Sequence, residues 1–234
     1  KEFMEHQNQP KSVLLDYCFV GVSFMYKKSC AQKIRGYWME PVEDYEYWIR
    51  LSEVCDLSFI PEVLMEYRVN SPQSISSQLH QSKDRYRHWR FMYNTARHQA
   101  RARRQIPPEL TILFVVDEVS QRAVDQYESI LEQLYSNFDF IIIDRTEHFA
   151  AAKIMGAISD PRVLFLHGPG QPLDIALKAA MPRIRSSFLY LYGSSLPPLP
   201  TYEIKHLLIN QQFAHDTLTF GKLYSISTFR RLIK

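Results

Sequence analysis

Apolar runs alternate with amphipathic stretches in the carboxyl-terminal half of the chain. Leu110–Val116 and Phe138–Asp144 are nearly continuous in apolar side chains, and the stretches between such runs have apolar residues at helical spacing. Buried strands separated by amphipathic helices are typical of a parallel sheet with helices on both faces. We therefore predict alternating strands and helices over 110–116, 123–135, 138–144, 147–157, 163–167, 173–184 and 188–192, and a further helix over 201–212.

The carboxyl ends of these strands are the expected ligand-binding edge. Open parallel sheets bind their ligands where the strands end, at the edge that faces the following loops. Asp117 follows the first strand, Asp144 ends the second, and His167-Gly168 and Gly193 close the next two. We predict a ligand near these residues.

The amino-terminal half has a different pattern. Residues 12–26 are rich in Val, Phe and Tyr, which predicts a strand, and 56–69 predicts one or two short strands. A short helix is predicted over 31–35 and an amphipathic helix over 44–54. The residues of the second helix that should face the core are Tyr47, Trp48, Leu51 and Val54.

A basic stretch and a helix breaker separate the two halves. Residues 83–104 contain eight lysines or arginines and one acid, with aromatic residues three or four apart, which predicts a helix. Such a charge run is most often a solvated face. A helix on an anionic membrane surface and a contact for a phosphorylated ligand are the two alternatives. Ile106-Pro107-Pro108 then marks a domain boundary.

Composition narrows the class of protein. The chain has 234 residues, of which 46% are hydrophobic and 23% are charged, which is typical of a soluble globular protein. A net charge of +3 is too small to predict nucleic acid binding. Cys18, Cys30 and Cys55 have no metal-ligand spacing, so we expect reduced thiols in the cytoplasm. No apolar run approaches the roughly 18 residues of a membrane span, and no signal-peptide pattern is present.

Two acids stand where a loop becomes the helix predicted over 44–54. A carboxylate there is held by unpaired backbone N–H groups and by the positive end of the helix dipole, so it should stay ionised and point outwards. Glu43 and Asp44 therefore suit general base chemistry. Aspartate is also a common N-cap, so the pattern by itself leaves both roles open.

Five blocks of this half, in one order, resemble the acceptor half of a family 2 glycosyltransferase of GT-A fold. The blocks are 20–27, 36–37, 42–51, 60–68 and 74–76. The resemblance implies transfer of a sugar from a nucleotide diphosphate donor, UDP-linked, to a hydroxyl of a growing glycan. In that family the Asp of the Glu-Asp pair deprotonates the acceptor, a role that falls on Asp44. Glu43 would orient the loop or accept a hydrogen bond from the acceptor.

The resemblance also implies contacts with the substrates. Tyr45 is the candidate to stack on a sugar ring, and Trp48 is a second candidate, although its helical spacing favours the core. Arg68 lies where the family often has a basic residue near the diphosphate. A surface ion pair is the alternative role for Arg68.

The carboxyl-terminal half resembles the donor side of the same family, through 128–144 and 168–195. The resemblance implies nucleotide binding by Asp117 and Asp144, and a divalent cation, Mn²⁺ or Mg²⁺. Asp144 is followed by Arg145 where the family has a second acid. Tyr192-Gly193-Ser194-Ser195 replaces the Asp-x-Asp that binds the cation. We therefore predict a degenerate donor half and assign no residue as a metal ligand.

The resemblance divides the chain into an acceptor half (1–80), a basic helical linker (81–108) and a Rossmann-like donor half (109–234). Residues 220–225 echo 20–25, which points to an internal repeat. One architecture is a piece of a tandem protein, in keeping with a sequence that opens on Lys1. The other is a single permuted GT-A-like domain, favoured because the predicted amino-terminal strands form too small a core to stand alone. A domain-swapped homodimer would satisfy the same need.

Two functional classes follow. The first is a glycosyltransferase fragment with a nucleotide-sugar donor and a glycan acceptor, cytoplasmic and peripheral to the inner face of the membrane through 83–104. The second is a non-catalytic pseudo-glycosyltransferase module that scaffolds a partner or binds glycan. The missing Asp-x-Asp favours the second class, and the intact Glu43-Asp44 pair favours the first. A metal-independent transferase is a third hypothesis.

Overall fold

Helices pack around the core of the amino-terminal part of the chain. The computed structural model describes residues 7–66, 79 and 81–234, and it divides into two compact units, Lys1–Arg104 and Gln105–Lys234. The first unit contains a 3-10 helix, Lys11–Leu15, and the helices α1 (Lys28–Ile34), α2 (Glu43–Val54) and α3 (Lys83–Arg103). The helices predicted over 31–35, 44–54 and 83–104 are therefore confirmed, with small changes in their ends.

The core of this unit is built on α2. The helix buries Tyr45, Trp48 and Ile49 against Leu14 of the 3-10 helix and Ala96 of α3. Burial of each large side chain of this kind contributes about 1.5–3 kcal/mol to the stability of the fold. This core explains how α2 is held in place, and with it the acid pair at its first turn.

The strands predicted for this unit are wrong within the described residues. Residues 16–27 follow the 3-10 helix without regular structure, and 55–66 contain no strand. A strand requires a partner for its backbone N–H and C=O groups, and composition alone does not supply one. The aromatic side chains of the first segment pack on α2 instead: Phe24 contacts Trp48, and Tyr26 contacts Tyr47.

The second unit is built on a five-stranded sheet. Its strands are β1 (Leu110–Val116), β2 (Phe138–Asp144), β3 (Val163–His167), β4 (Phe188–Gly193) and β5 (Lys222–Ser225). The order is β3-β2-β1-β4-β5. The first four strands run parallel, as predicted, whereas β5 pairs antiparallel with β4. The predicted parallel sheet is therefore mixed, because a short fifth strand follows the predicted alternation.

Helices cover both faces of the sheet. They are α4 (Gln121–Leu131), α5 (Ala150–Met155), α6 (Leu173–Ala180), α7 (Glu203–Asn210) and α8 (Ile226–Leu232), with 3-10 helices at Glu147–Phe149 and Met181–Arg183. Alternate strand residues face opposite sides. Phe114 and Phe140 pack with Tyr127 of α4 on one face, and Leu113 packs with Phe229 of α8 on the other. The expectation of an α/β fold with a covered, mostly parallel sheet is confirmed.

The observed division of the chain falls between Arg104 and Gln105. Helix α3 thus belongs to the first unit. The functions predicted for 1–80, 81–108 and 109–234 stay predictions. Within the described residues, no helix is both long enough and apolar enough to cross a membrane.

Candidate functional site

The acid pair occupies the first turn of α2. Glu43 and Asp44 are the first two residues of the helix, and the N-cap position belongs to Val42, which offers no side-chain hydrogen bond. Asp44 is therefore not the N-cap. Of the two roles that the sequence pattern left open, N-cap and general base, only the second remains. Its side chain is exposed. The exposed carboxylate lies at the positive end of the helix dipole, where negative charge is favoured.

Glu43 differs from its neighbour in its surroundings. Its Oε2 atom is buried and has no hydrogen-bond partner among the described residues. A buried acceptor without a partner costs about 1–3 kcal/mol relative to a satisfied one. The protein thus leaves this oxygen unsatisfied and closed to solvent, whereas Asp44 presents an exposed carboxylate.

Two predicted substrate contacts lie in the core of the first unit. Tyr45 stacks on Tyr93 with 4.2 Å between ring centroids, and its hydroxyl donates to the Leu14 carbonyl. Burial raises the pKa of the Tyr45 hydroxyl well above its usual value. Trp48 is buried against Phe24, with ring centroids 4.0 Å apart. Both rings are therefore packed against other side chains and are not accessible to a sugar. Their predicted stacking on a sugar ring is not supported.

Other aromatic side chains lie near Asp44. Tyr37 stacks on Tyr47, with centroids 4.2 Å apart and ring planes at 19°. Tyr37 and Trp38 are 45% and 54% exposed. We name this exposed pair, Tyr37 and Trp38, the aromatic ledge. The sequence interpretation missed it, because Gly36-Tyr37-Trp38 has the pattern of a turn and no spacing links it to α2.

Arg50 joins the ledge to α2. Its guanidinium binds both carboxylate oxygens of Glu46, at 2.6 and 2.7 Å, and donates to the carbonyls of Ile34 and Gly36. It also lies 5.7 Å from the centroid of the Trp38 ring and 5.5 Å from that of Tyr47. One cation thus holds the end of α1 and the loop after it against α2.

The hydroxyl of Tyr37 stays protonated at neutral pH. Desolvation, a hydrogen bond with Tyr26 and the charge of Asp44 together raise the pKa of Tyr37 to about 12. The influence of Asp44 agrees with its place one helical turn before Tyr47, on which Tyr37 stacks. A carboxylate, a phenol and exposed rings are thus brought together at the start of α2.

The predicted nucleotide-binding acids lie at the carboxyl ends of β1 and β2. Asp117 is exposed and pairs with Arg145 at 2.8 Å. Asp144 is buried and accepts hydrogen bonds from the backbone N–H groups of Thr146 and Ala152, at 3.0 and 2.9 Å, and from the Thr146 hydroxyl. Asp144 therefore holds the turn between β2 and α5, and Arg145, a departure from the family pattern, serves as a partner for Asp117.

The loop after β4 is fastened by side chains of α4. Gln126 donates to the Gly193 carbonyl at 3.3 Å, and Arg122 donates to the Ser195 carbonyl at 2.8 Å. A Cβ atom added at Gly193 would lie 2.7 Å from the Phe220 ring, so the close approach requires glycine. The loop 193–195 supplies hydroxyls and backbone groups, which do not fit a divalent cation that requires carboxylate oxygens. In the described part of the chain, no group of three or more His, Cys, Asp or Glu side chains could hold a metal ion.

The basic residues of α3 are not all on a solvated face. Arg90, Arg97 and Arg101 are buried, and Arg101 pairs with Asp16 at 2.9 Å. The expectation of a solvated charge run is therefore wrong for these three arginines. Arg68, the last predicted contact of the diphosphate, lies outside the described residues.

No protein-family model matches the chain, and no curated protein matches it significantly.

Proposed function

We propose that this chain is a glycosyltransferase module of GT-A type in which Asp44 is the general base for the acceptor hydroxyl. The observation that carries the proposal is the exposed carboxylate of Asp44 in the first turn of α2, one helical turn before Tyr47, on which the half-exposed ring of Tyr37 stacks. A base requires an accessible carboxylate and a fixed position. Asp44 is exposed, and the packing of α2 in the core of the first unit fixes its position.

The proposed reaction is a group transfer in one displacement. Asp44 takes the proton of an acceptor hydroxyl, and the oxygen forms a bond to the anomeric carbon of a nucleotide-sugar. The bond from that carbon to the nucleotide diphosphate breaks, and the diphosphate leaves with the electron pair. Glu43, the neighbouring acid in the first turn of α2, orients the loop or accepts a hydrogen bond from the acceptor.

The sheet of the second unit supports a GT-A architecture. The sheet is mostly parallel and flanked by helices, as that fold requires. Asp117, exposed at the carboxyl end of β1, is the proposed contact of the nucleotide.

The second candidate function is a pseudo-glycosyltransferase that binds glycan or scaffolds a partner without turnover. The loop after β4 favours it, because no carboxylate stands at 192–195 and Gln126 and Arg122 of α4 already donate to the carbonyls of Gly193, Ser194, Ser195 and Leu196. Asp144 favours it too, since both of its carboxylate oxygens hold the turn after β2.

The test is the replacement of the base. We expect Asp44→Asn to lower the rate of UDP release from UDP-sugars in the presence of glycan acceptors by roughly 10²–10⁴-fold, since that is the usual contribution of general base catalysis. The matched control is Glu53→Gln, which removes an acid that pairs with Arg103 at the other end of the same helix and should leave the rate unchanged. A rate for Asp44→Asn equal to that of the unchanged protein contradicts the proposal. Acceptor binding without any turnover by the unchanged protein selects the pseudo-enzyme.

A further inference from the structure

Tyr37 of the aromatic ledge packs on the side of α2 that carries Asp44. Asp44, Tyr47 and Trp48 are spaced i, i+3 and i+4, which places them on one helix face. The ring of Tyr37 covers Tyr47, while 45% of Tyr37 stays exposed. One face of the Tyr37 ring is thus occupied by protein, and the remainder of the side chain is accessible next to the acid pair.

The ledge is fixed before any ligand arrives. Arg50 donates to the carbonyls of Ile34 and Gly36, which directly precede Tyr37 and Trp38 in the chain, and its guanidinium lies 5.7 Å from the centroid of the Trp38 ring. Its guanidinium is held in turn by both oxygens of Glu46. A side chain that is already immobile loses little entropy when a ligand binds, so its contacts are converted more fully into affinity.

We infer that the aromatic ledge is a stacking platform for a neutral pyranose ring of the acceptor, with its rim hydroxyls directed to Asp44. The inference rests on the proposed function for the identity of the acceptor.

The chemistry of a pyranose fits this arrangement. Its C–H groups form an apolar face with slight positive charge, and the face of an aromatic ring is negative, so the two attract each other. Its hydroxyls project from the edge of the ring as hydrogen-bond donors. The exposed carboxylate of Asp44 is an acceptor for them.

The charges of the site select a neutral sugar over an acidic one. A uronic acid would bring a third carboxylate towards Glu43 and Asp44, where like charges repel. The neighbouring guanidinium of Arg50 is already engaged by Glu46 and by two backbone carbonyls. The platform therefore determines specificity by apolar stacking and hydroxyl recognition.

The experiment is saturation-transfer NMR on the full chain with chitotriose, cellotriose, maltotriose and trigalacturonate. We expect transfer to the ring C–H protons of at least one neutral trisaccharide. Tyr37→Ala and Trp38→Ala should each weaken that binding about tenfold, whereas Trp38→Phe keeps most of it. The matched control is Tyr202→Ala, which removes a tyrosine that is 55% exposed in the other unit. It should bind like the unchanged protein.

Three results overturn the platform. They are no transfer to any neutral trisaccharide, unchanged binding by both Tyr37→Ala and Trp38→Ala, and tighter binding of trigalacturonate than of the neutral probes. Tryptophan fluorescence of each variant checks that the first unit stays folded.

Asp44→Asn separates this inference from the proposed function. The platform predicts that the variant still binds the trisaccharide, because an amide oxygen also accepts hydrogen bonds. If the ledge binds sugar and Asp44→Asn leaves turnover unchanged, the assignment of Asp44 as general base is wrong and the assignment of the ledge as a sugar-binding platform is supported. If Asp44→Asn loses turnover while Tyr37→Ala and Trp38→Ala bind the trisaccharide normally, the assignment of the ledge is wrong and the assignment of Asp44 as general base is supported.

Discussion

Arg50 shows how much a single residue decides at this site. Its side chain is 11% exposed, and that of its partner Glu46 is 1% exposed. Burying an ion pair is costly unless further hydrogen bonds satisfy the remaining donors. Here the Ile34 and Gly36 carbonyls take those donors, and the rings of Trp38 and Tyr47 lie over the cation.

Arg50→Lys should destabilise the first unit. Lysine keeps the charge and loses the planar fork that reaches Glu46 and the carbonyls, so we expect the free energy of unfolding to fall by about 1–3 kcal/mol. Urea unfolding followed by tryptophan fluorescence measures it, because Trp38, Trp48 and Trp89 all lie in Lys1–Arg104. Arg85→Lys, at an exposed position, should stay within about 0.5 kcal/mol. Equal values for the two variants would contradict the role given to Arg50.

Helix α3 shows the difference between predicting an element and predicting its orientation. Period and composition located the helix correctly, but its high arginine content suggested a solvated face. Long arginine stems pack along apolar surface while their guanidinium groups reach polar partners. Arg97 donates to the Asp16 carbonyl, Arg101 pairs with the Asp16 carboxylate, and Arg103 pairs with Glu53 at 2.9 Å. Much of the charge on this helix therefore serves the first unit. Peripheral membrane contact through 83–104 stays a prediction.

We expect Arg101→Gln to lower the free energy of unfolding by about 1–3 kcal/mol, since it removes a mostly buried ion pair with Asp16. Arg85→Gln is the control on the same helix, at an exposed position, and should change it by less than about 0.5 kcal/mol. The fluorescence measurement described for Arg50 applies to both. If Arg85→Gln proves the more damaging of the two, the face assigned to α3 is incorrect.

At the scale of the whole molecule, the proposed nucleotide site lies at the carboxyl edge of the sheet. In family 2 glycosyltransferases, the donor half binds a divalent cation through an Asp-x-Asp. Residues 192–195 of this chain, which replace that motif, contain no carboxylate. Asp117 is the acid at the end of β1, and it forms an ion pair with Arg145. These features favour donor binding without a metal.

Calorimetric titration of UDP into the full chain tests this expectation. The affinity with excess Mn²⁺ should agree with that in EDTA within about twofold, because no pair of carboxylates is available to hold the ion near the diphosphate. Mg²⁺ serves as the second comparison and should give the same value. A gain of about tenfold or more with Mn²⁺, equal to about 1.4 kcal/mol, would show that a metal site is completed despite Tyr192-Gly193-Ser194-Ser195. The prediction of a degenerate donor half would then be wrong.

Local pattern by itself determined the strands β1 to β4, the helices between them and the start of α2 at the acid pair. Those features depend on residues that are neighbours in sequence, because a buried parallel strand must be apolar throughout and an amphipathic helix must repeat its apolar side. The tertiary structure decided what depends on distant partners. Residues 20–26 have strand composition but pack on α2, β5 runs antiparallel to β4, and Arg97 is buried beside Asp16. The aromatic ledge is of this second kind, because Tyr37 is placed by Tyr47 and Arg50, and no periodicity links a turn to the helix on which it packs.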